Sequence, residues 1–252
     1  MSSIDLNADL GEGFGQWRLG DDDALLGVVT SANVACGFHA GDPGLMRRVC
    51  AVAAANGVAI GAQVGYRDLA GFGRRRIDYE FGELRDDVIY QIGALAGFCR
   101  VAGTRVRYVK PHGALYNTAA VDEGQASAVV AAVADYDAGL PVLCQPGSVL
   151  AELAVAAGLT VIGEGFADRG YRADGTLVPR SAPDALVHEP DHVAARAVRM
   201  AVEGVVVAAD GTLVPCAVQS ICLHGDTPGA VELARRVRAA MTAARLDVRP
   251  FG

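Results

Sequence analysis

The residues of this chain that could do chemistry lie in a few short stretches, each ending an apolar run. The first, "DLNADLGEG", spaces Asp5, Asn7 and Asp9 two apart and sets Glu12 in the glycine-rich loop that follows. Residues two apart share one face of an extended strand, so these polar groups point one way and Ile4, Leu6, Ala8 and Leu10 the other. Three inward polar side chains are costly to bury unless they are partnered or functional. Carboxylates so placed suit acid–base work, and a buried structural network is the competing reading. In "SANVACGFHAGD", Asn33 and His39 share a parity if the chain stays extended. "RYVKPHG" puts Lys110 and His112 on one face, and "CLHGD" ends a further run on His224. Three of the five histidines therefore end three different runs, while His188 and His192 fall in a polar helix start and read as solvated.

Lys110 is the single lysine among 22 basic residues. It could be a surface lysine that survived by chance. Beside Pro-His-Gly, a compact ammonium that arginine cannot replace suits stabilisation of an oxyanion or a leaving phosphate. "GYRDLAGFGRRRIDYE" is a long loop carrying Arg67, Arg74, Arg75 and Arg76. Such a loop is either solvated or a clamp for a carboxylate or phosphate. "EGFADRGYR" adds Glu164, Asp168 and Arg169 as candidates for the rim of a site.

These groups need elements to hold them. Seven apolar runs read as strands: "SIDLNADL", "VTSANVACGF", "VAIGAQVG", "RVRYVKPHG", "LPVLCQPG", "LTVIGEGF" and "CAVQSICLHG". Helical patterns fall between them, near 21–30, 42–57, 83–102, 122–135, 147–157, 190–203 and 227–245. Residues 42–57 carry the fullest signals: Asp42 can cap, Pro43 sits at the first helical position and Gly57 can close the end. Strands alternating evenly with helices, without a linker, predict one α/β domain over 1–252, a parallel sheet closed into a TIM-like barrel. Active sites of such barrels lie at the C-terminal ends of the strands. "DGTLVP" occurs at 174–179 and again at 210–215, and reads as a turn into a short strand, twice an excursion from the barrel.

Composition removes other classes. A formal charge of −7 argues against a nucleic-acid binder. Six cysteines are scattered through apolar runs without a C-x-x-C pair, as reduced intracellular thiols are. Neither an export signal nor a membrane span is evident, so a soluble cytoplasmic protein is expected. "GEGFGQ" has Gln16 where a dinucleotide loop needs its third glycine. The only lysine follows Val109, so there is no Walker A loop, and G-x-S-x-G is absent.

Together "DLNADLGEGFG", "SANVACGFHAGDP", "GYRDLAGFGRR", "VKPHGALYN" and "FADRGYRADGTLVPR" resemble the LamB/YcsF family, and "SICLHGD" resembles its end motif. The resemblance implies an irregular seven-stranded β/α barrel of the glycoside hydrolase/deacetylase type. It also implies the reaction of 5-oxoprolinase, ATP-driven hydrolysis of 5-oxo-L-proline to L-glutamate, with this chain beside the B and C subunits of that enzyme. ATP would be bound mainly by those partners, since this chain lacks a Walker loop. In that reading Asp9 is the general base, with Asp5 or Glu12 coupled to it, and Lys110 and His112 stabilise the oxyanion or leaving phosphate. His39 and His224 position the substrate, and Arg74 or Arg75 holds its carboxylate; Asn7, Asn33 and Gln63 complete the substrate-binding set. One departure stands out: "GAQVGY" has Gln63 where the family typically has the histidine of G-A-H-P-G-Y. Glutamine can hydrogen-bond but cannot replace an imidazole as ligand or proton carrier.

Two rival readings follow. A metal-dependent carbohydrate deacetylase or amidohydrolase could use Asp9, His39, His112 and His224 as ligands, although the deacetylases' H-x-x-x-H pair is missing because Pro43 stands four residues after His39. A non-catalytic protein that binds a small carboxylate would accommodate Gln63. No metal is assigned from the sequence, and the oligomeric state, a homo-oligomer included, stays open.

Overall fold

The structure is a computed structural model describing residues 3–226 and 229–251. The chain opens with β1 (Ser3–Leu10), α1 (Asp22–Leu26), β2 (Ser31–Ala35), α2 (Pro43–Ala55) and β3 (Ala59–Val64). It continues through α3 (Phe81–Val101), β4 (Val106–Pro111), α4 (Gly113–Ala119), α5 (Glu123–Asp137), β5 (Val142–Cys144), α6 (Val149–Ala156) and β6 (Val161–Phe166). The last part holds α7 (Pro190–Glu203), β7 (Val205–Val207), β8 (Leu213–Pro215), β9 (Ser220–His224), α8 (Ala230–Ala243) and β10 (Asp247–Val248).

β1 to β6 follow one another in parallel, β9 joins β6, and β9 pairs back to β1 to close a ring of seven strands. The ring is irregular: β4 and β5 share only the Val109–Val142 register pair. β10 adds a short parallel pairing to the start of β1. β7 and β8 form an antiparallel hairpin outside the ring. Its turn is closed by Thr212 N–H donating to Asp210 Oδ1 at 3.0 Å, and the earlier Asp-Gly-Thr copies this through Thr176 N–H and Asp174 Oδ1 at 2.9 Å. Both turns expected from the repeated hexapeptide are therefore present, the second leading into β8 and the first only into the single bridge between Tyr171 and Leu177.

Parity along each strand sorts the side chains. Leu6, Ala8 and Leu10 of β1, with Ala32 and Val34 of β2, face the helices and belong to the main apolar core. The helix starts follow their sequence signals: Asp42 accepts from Leu45 N–H at 3.0 Å with Pro43 behind it, and Gly204 ends α7 at φ 65°. Inside the ring, Tyr108, Leu143 and Ile162 form a small apolar cluster, with Phe251 packed edge-on against Tyr108, ring centres 5.0 Å apart. Gly61 lacks a side chain where a Cβ would run into the Tyr108 ring. Asp5, Asn7, Asp9, Asn33, Lys110 and Glu164 make much of the remaining interior polar.

Helix α4 departs from the sequence reading. "KPHG" reads as a strand end, but Gly113, at φ 56°, turns the chain straight from β4 into a helix. The pattern read at 227–245 is the helix 230–243, and residues 227–228 lie outside the described residues. Among the described residues no helix is long and apolar enough to cross a membrane, and the six cysteines are buried free thiols.

Candidate active site

The lone lysine lies inside the barrel. Lys110, one residue before the end of β4, shares the parity of Tyr108 and is 2% exposed, too buried for a surface lysine. Its Nζ donates to Asp9 Oδ1 at 3.0 Å and to Cys222 Sγ at 3.2 Å, and lies 2.8 Å from Glu164 Oε1. Burial disfavours the ammonium, but Asp9 and Glu164 outweigh it and hold the proton well beyond the usual lysine range. Burial likewise pushes Asp9 up, yet the Lys110 ammonium foremost holds its carboxyl well below the usual range. An ammonium fixed between two carboxylates is an electrostatic group rather than an amine nucleophile.

A support layer lies beneath. Asn33 Nδ2 donates to Asp9 Oδ1 at 2.8 Å and to Asn7 Oδ1 at 2.6 Å, while Tyr108 donates to Asn33 Oδ1 at 2.7 Å. Asn7 Nδ2 in turn donates to Glu164 Oε1 at 3.1 Å and to Ser220 Oγ at 2.6 Å. Asp5 accepts from Thr30 at 2.6 Å, Ser31 at 2.7 Å and Ser220, and burial raises its carboxyl to about 6. Asp5, Asn7 and Asn33, expected to bind substrate, lie beneath Asp9 and Glu164 and do not line the cavity. They face inward as expected, one layer deeper.

Above Lys110 the imidazoles of His39 and His112 stack, centres 3.9 Å apart and planes 14° apart. The loop after β3 covers them: Phe72, at φ 54°, sets its ring edge-on to both. Gly73 at φ 64° fits only without a Cβ, which would lie 2.7 Å from His39 Cβ and 2.9 Å from His112 Nδ1. Burial lowers His39 to about 4, and burial with the neighbouring His39 lowers His112 well below the usual range, so both rings are neutral. His39 Nε2 meets Gln63 Oε1 at 3.2 Å, and His112 Nε2 lies 3.5 Å from Glu12 Oε1. Burial and then Asp9 raise the Glu12 carboxyl well above its usual value. His39, Gln63 and Glu12 are buried behind His112 and do not line the cavity.

Among the described residues, Glu12, His39 and His112 are the cluster that could hold a metal ion, their ligand atoms lying within 4.8 Å of one another. The donor types suit a zinc-like ion, and Glu12 Oε1 and both Nδ1 atoms lack hydrogen-bond partners. The ring arrangement does not suit one. Stacked imidazoles aim their in-plane lone pairs side by side, so one ring must turn before both could ligate. Asp9 and His224, expected as ligands in the metal reading, fall outside this cluster.

A second pair sits at the end of β9. His224 Nδ1 donates to Asp168 Oδ2 at 2.8 Å, because a carboxylate can only accept, and Asp168 also takes the His224 backbone N–H at 3.2 Å. Burial pushes Asp168 up, but His224 outweighs it and holds the carboxyl below its usual value. Phe166 stacks against the imidazole, centres 5.7 Å apart. Asp9 and His224 are register partners, which brings this pair to the Lys110 centre.

Asp9, Lys110, His112, His224 and Arg74 open onto a common cavity of about 750 Å³. Arg74 lies over Phe72 at 4.7 Å and pairs with Asp226 at 2.6 Å. Arg75, the other candidate for a carboxylate clamp, is turned away, exposed and held by Asp68, and does not line the cavity. Sequence reasoning ranked Glu164 and Asp168 only as rim candidates; their parity on and after β6 was the available signal, and the partners that give them meaning lie far away in the chain.

A closed parallel β/α barrel with an ammonium held by carboxylates and an Asp–His pair at its C-terminal mouth defines an α/β-barrel protein built for acid–base and anion-stabilising chemistry. The LamB/YcsF family profile matches residues 4–252. The chain belongs to the LamB/YcsF family. It is similar to a Streptomyces avermitilis protein named as the A subunit of 5-oxoprolinase, 63% identical over 98% of this chain and 99% of that one. It is also similar to the crystal structure of a lactam utilization protein from Thermus thermophilus, with TM-score 0.94 and 45% identity over 99% of this chain and 100% of that one. A polysaccharide deacetylase from Bacillus cereus shares the fold alone, with TM-score 0.50 and 12% identity over 100% of this chain and 93% of that one.

Proposed function

We propose that this chain is the hydrolytic A subunit of an ATP-dependent 5-oxoprolinase, opening 5-oxo-L-proline to L-glutamate in the cytoplasm with two partner proteins. The observation that carries it is the Lys110 ammonium between Asp9 and Glu164 beside the Asp168–His224 pair, at one cavity floor. The name of the 63%-identical relative supports the substrate.

A lactam is a resonance-stabilised amide and a poor electrophile. Phosphorylation of its carbonyl oxygen by ATP, a step assigned to the partners because this chain lacks a Walker loop, makes the ring carbon attackable by water. Asp9 has too little affinity for a proton to keep one, which suits it to orienting the water rather than to the expected role of general base. His224, held through Nδ1 by Asp168, takes the water proton at Nε2 and returns it to the ring nitrogen as the C–N bond breaks. The product is a glutamyl phosphate mixed anhydride, which a second water hydrolyses to glutamate and phosphate. The hydroxyl added first loses its proton as the C–N bond breaks, and the second addition makes a carbonyl oxyanion; Lys110 and His112 face that oxygen in both steps, and Arg74 is placed to hold the substrate carboxylate.

Mixing this chain with the purified B and C partners, ATP and 5-oxoproline should yield glutamate, and omitting the chain should abolish it. Equal glutamate in its absence overturns the proposal. A metal-dependent amidohydrolase is favoured by one observation, the Glu12–His39–His112 cluster. Stoichiometric zinc together with chelator-sensitive cleavage of N-acetyl sugars without ATP would select that reading.

A further inference from the structure

One wall of the cavity carries none of Asp9, Lys110, His112, His224 and Arg74. It is built by the excursion after β6, where Arg169, Arg172 and Arg180 line the space beside Thr176 and Ser181. Arg169 is buried, its guanidinium donating to the carbonyls of Ala185 at 3.1 Å and Val178 at 2.8 Å. Among the described residues these three arginines take part in no ion pair, whereas Arg74, Arg75 and Arg76 each hold a carboxylate. Asp174, the acid on this wall, is engaged by the Thr176 amide and hydroxyl at 2.9 and 2.6 Å.

Positive charge is thus gathered here in a chain whose formal charge is −7. Like charges brought together cost energy until an anion shares the site. Burial first, and Arg180 second, lower the Arg169 guanidinium to about 10, with Asp168 offsetting part of that. Planar guanidinium groups bind phosphate oxygens in pairs, which carboxylate recognition by Arg74 alone does not require. The cavity also exceeds a small cyclic amide: about 750 Å³ lies within the range that takes drug-sized ligands.

We propose that Arg169, Arg172 and Arg180 form an anion subsite for the phosphoryl group of a small phosphate ester whose reacting carbon lies at the Lys110 floor. In the lactam reaction, the phosphoryl group stays on that carbon's oxygen through ring opening and leaves only at the last hydrolysis, so one cradle serves both water additions. That the ester is a phosphorylated lactam rests on the function proposed above; the subsite does not.

Calorimetry on the full chain alone, with inorganic phosphate, acetyl phosphate and ADP as separate titrants, tests the subsite. Phosphate and acetyl phosphate should bind, and Arg172→Ala and Arg180→Ala should each weaken both by about tenfold or more. Both positions are outside the core, so the folded circular dichroism spectrum should persist, and Arg100→Ala on the exposed end of α3 should change nothing. Absence of phosphate binding, or binding indifferent to Arg172 and Arg180, overturns the proposal. ADP binding much tighter than phosphate also overturns it, in favour of a nucleotide site. Because no partner, ATP or lactam is present, failure here is separate from failure to form glutamate in the reconstituted system.

Discussion

Lys110 Nζ lies 2.8 Å from Glu164 Oε1, a buried ion pair joining β4 to β6 across the barrel. Removing the ammonium leaves Asp9 and Glu164 as buried carboxylates without a counter-charge. Lys110→Met should therefore abolish glutamate formation and also destabilise the fold by about 3–5 kcal/mol. Adding Glu164→Gln should recover much of the stability and none of the activity. Denaturant titration and turnover of the two variants separate the roles, and unchanged stability in Lys110→Met refutes the charge-pair account.

Asp168 accepts from His224 Nδ1, so it fixes which imidazole nitrogen faces the cavity. Asp168→Asn keeps the shape but supplies an amide that can donate back, leaving the ring in the wrong tautomer. Turnover should fall by roughly 10²-fold or more with little change in stability. Nearly full activity in this variant would show that His224 carries no proton.

The carboxyl of Asp5 makes a pH prediction. Its folded value of about 6 exceeds the ordinary 3.8, so between these the folded chain binds a proton that the unfolded chain does not. Stability from this group is greatest at low pH and falls as pH rises through that window, by up to about 3 kcal/mol above it. Asp5→Asn removes the penalty, so its melting temperature relative to wild type should be more favourable at pH 8 than at pH 4. An identical difference at both pH values contradicts this.

Gly73 presses the loop after β3 onto the stacked histidines. Gly73→Ala combines a left-handed backbone with a Cβ 2.7 Å from His39 Cβ. It should cost about 2 kcal/mol or more and disturb His112, lowering turnover beyond what the stability loss explains. Thermal melts and initial rates check both effects.

Much of this could be read from residue order. The alternation of Asp5, Asn7 and Asp9 marked β1 and its inward face, and a glycine or alanine beside each of His39, His112 and His224 marked strand ends at one mouth. What could not be read depends on inter-strand register, which local pattern does not encode. Asp9 meets His224 only because β1 and β9 pair in that register, and the same pairing places Asp5 against Ser220, a layer too deep to touch a ligand. Arg75 and Arg74 are neighbours in sequence, yet Asp68 draws one outward while the other lines the cavity. Glu164 looked like a rim acid because its partner Lys110 lies on a strand not adjacent to its own.

The ring closes through β1 and β9, whose residues lie at opposite ends of the chain. During synthesis the first strand leaves the ribosome long before its second neighbour exists, with one edge of backbone amides and carbonyls unmatched. Nascent chains should therefore depend on holding chaperones until residue 224 has emerged. A message truncated earlier would yield an open sheet prone to edge-to-edge association rather than a smaller working protein.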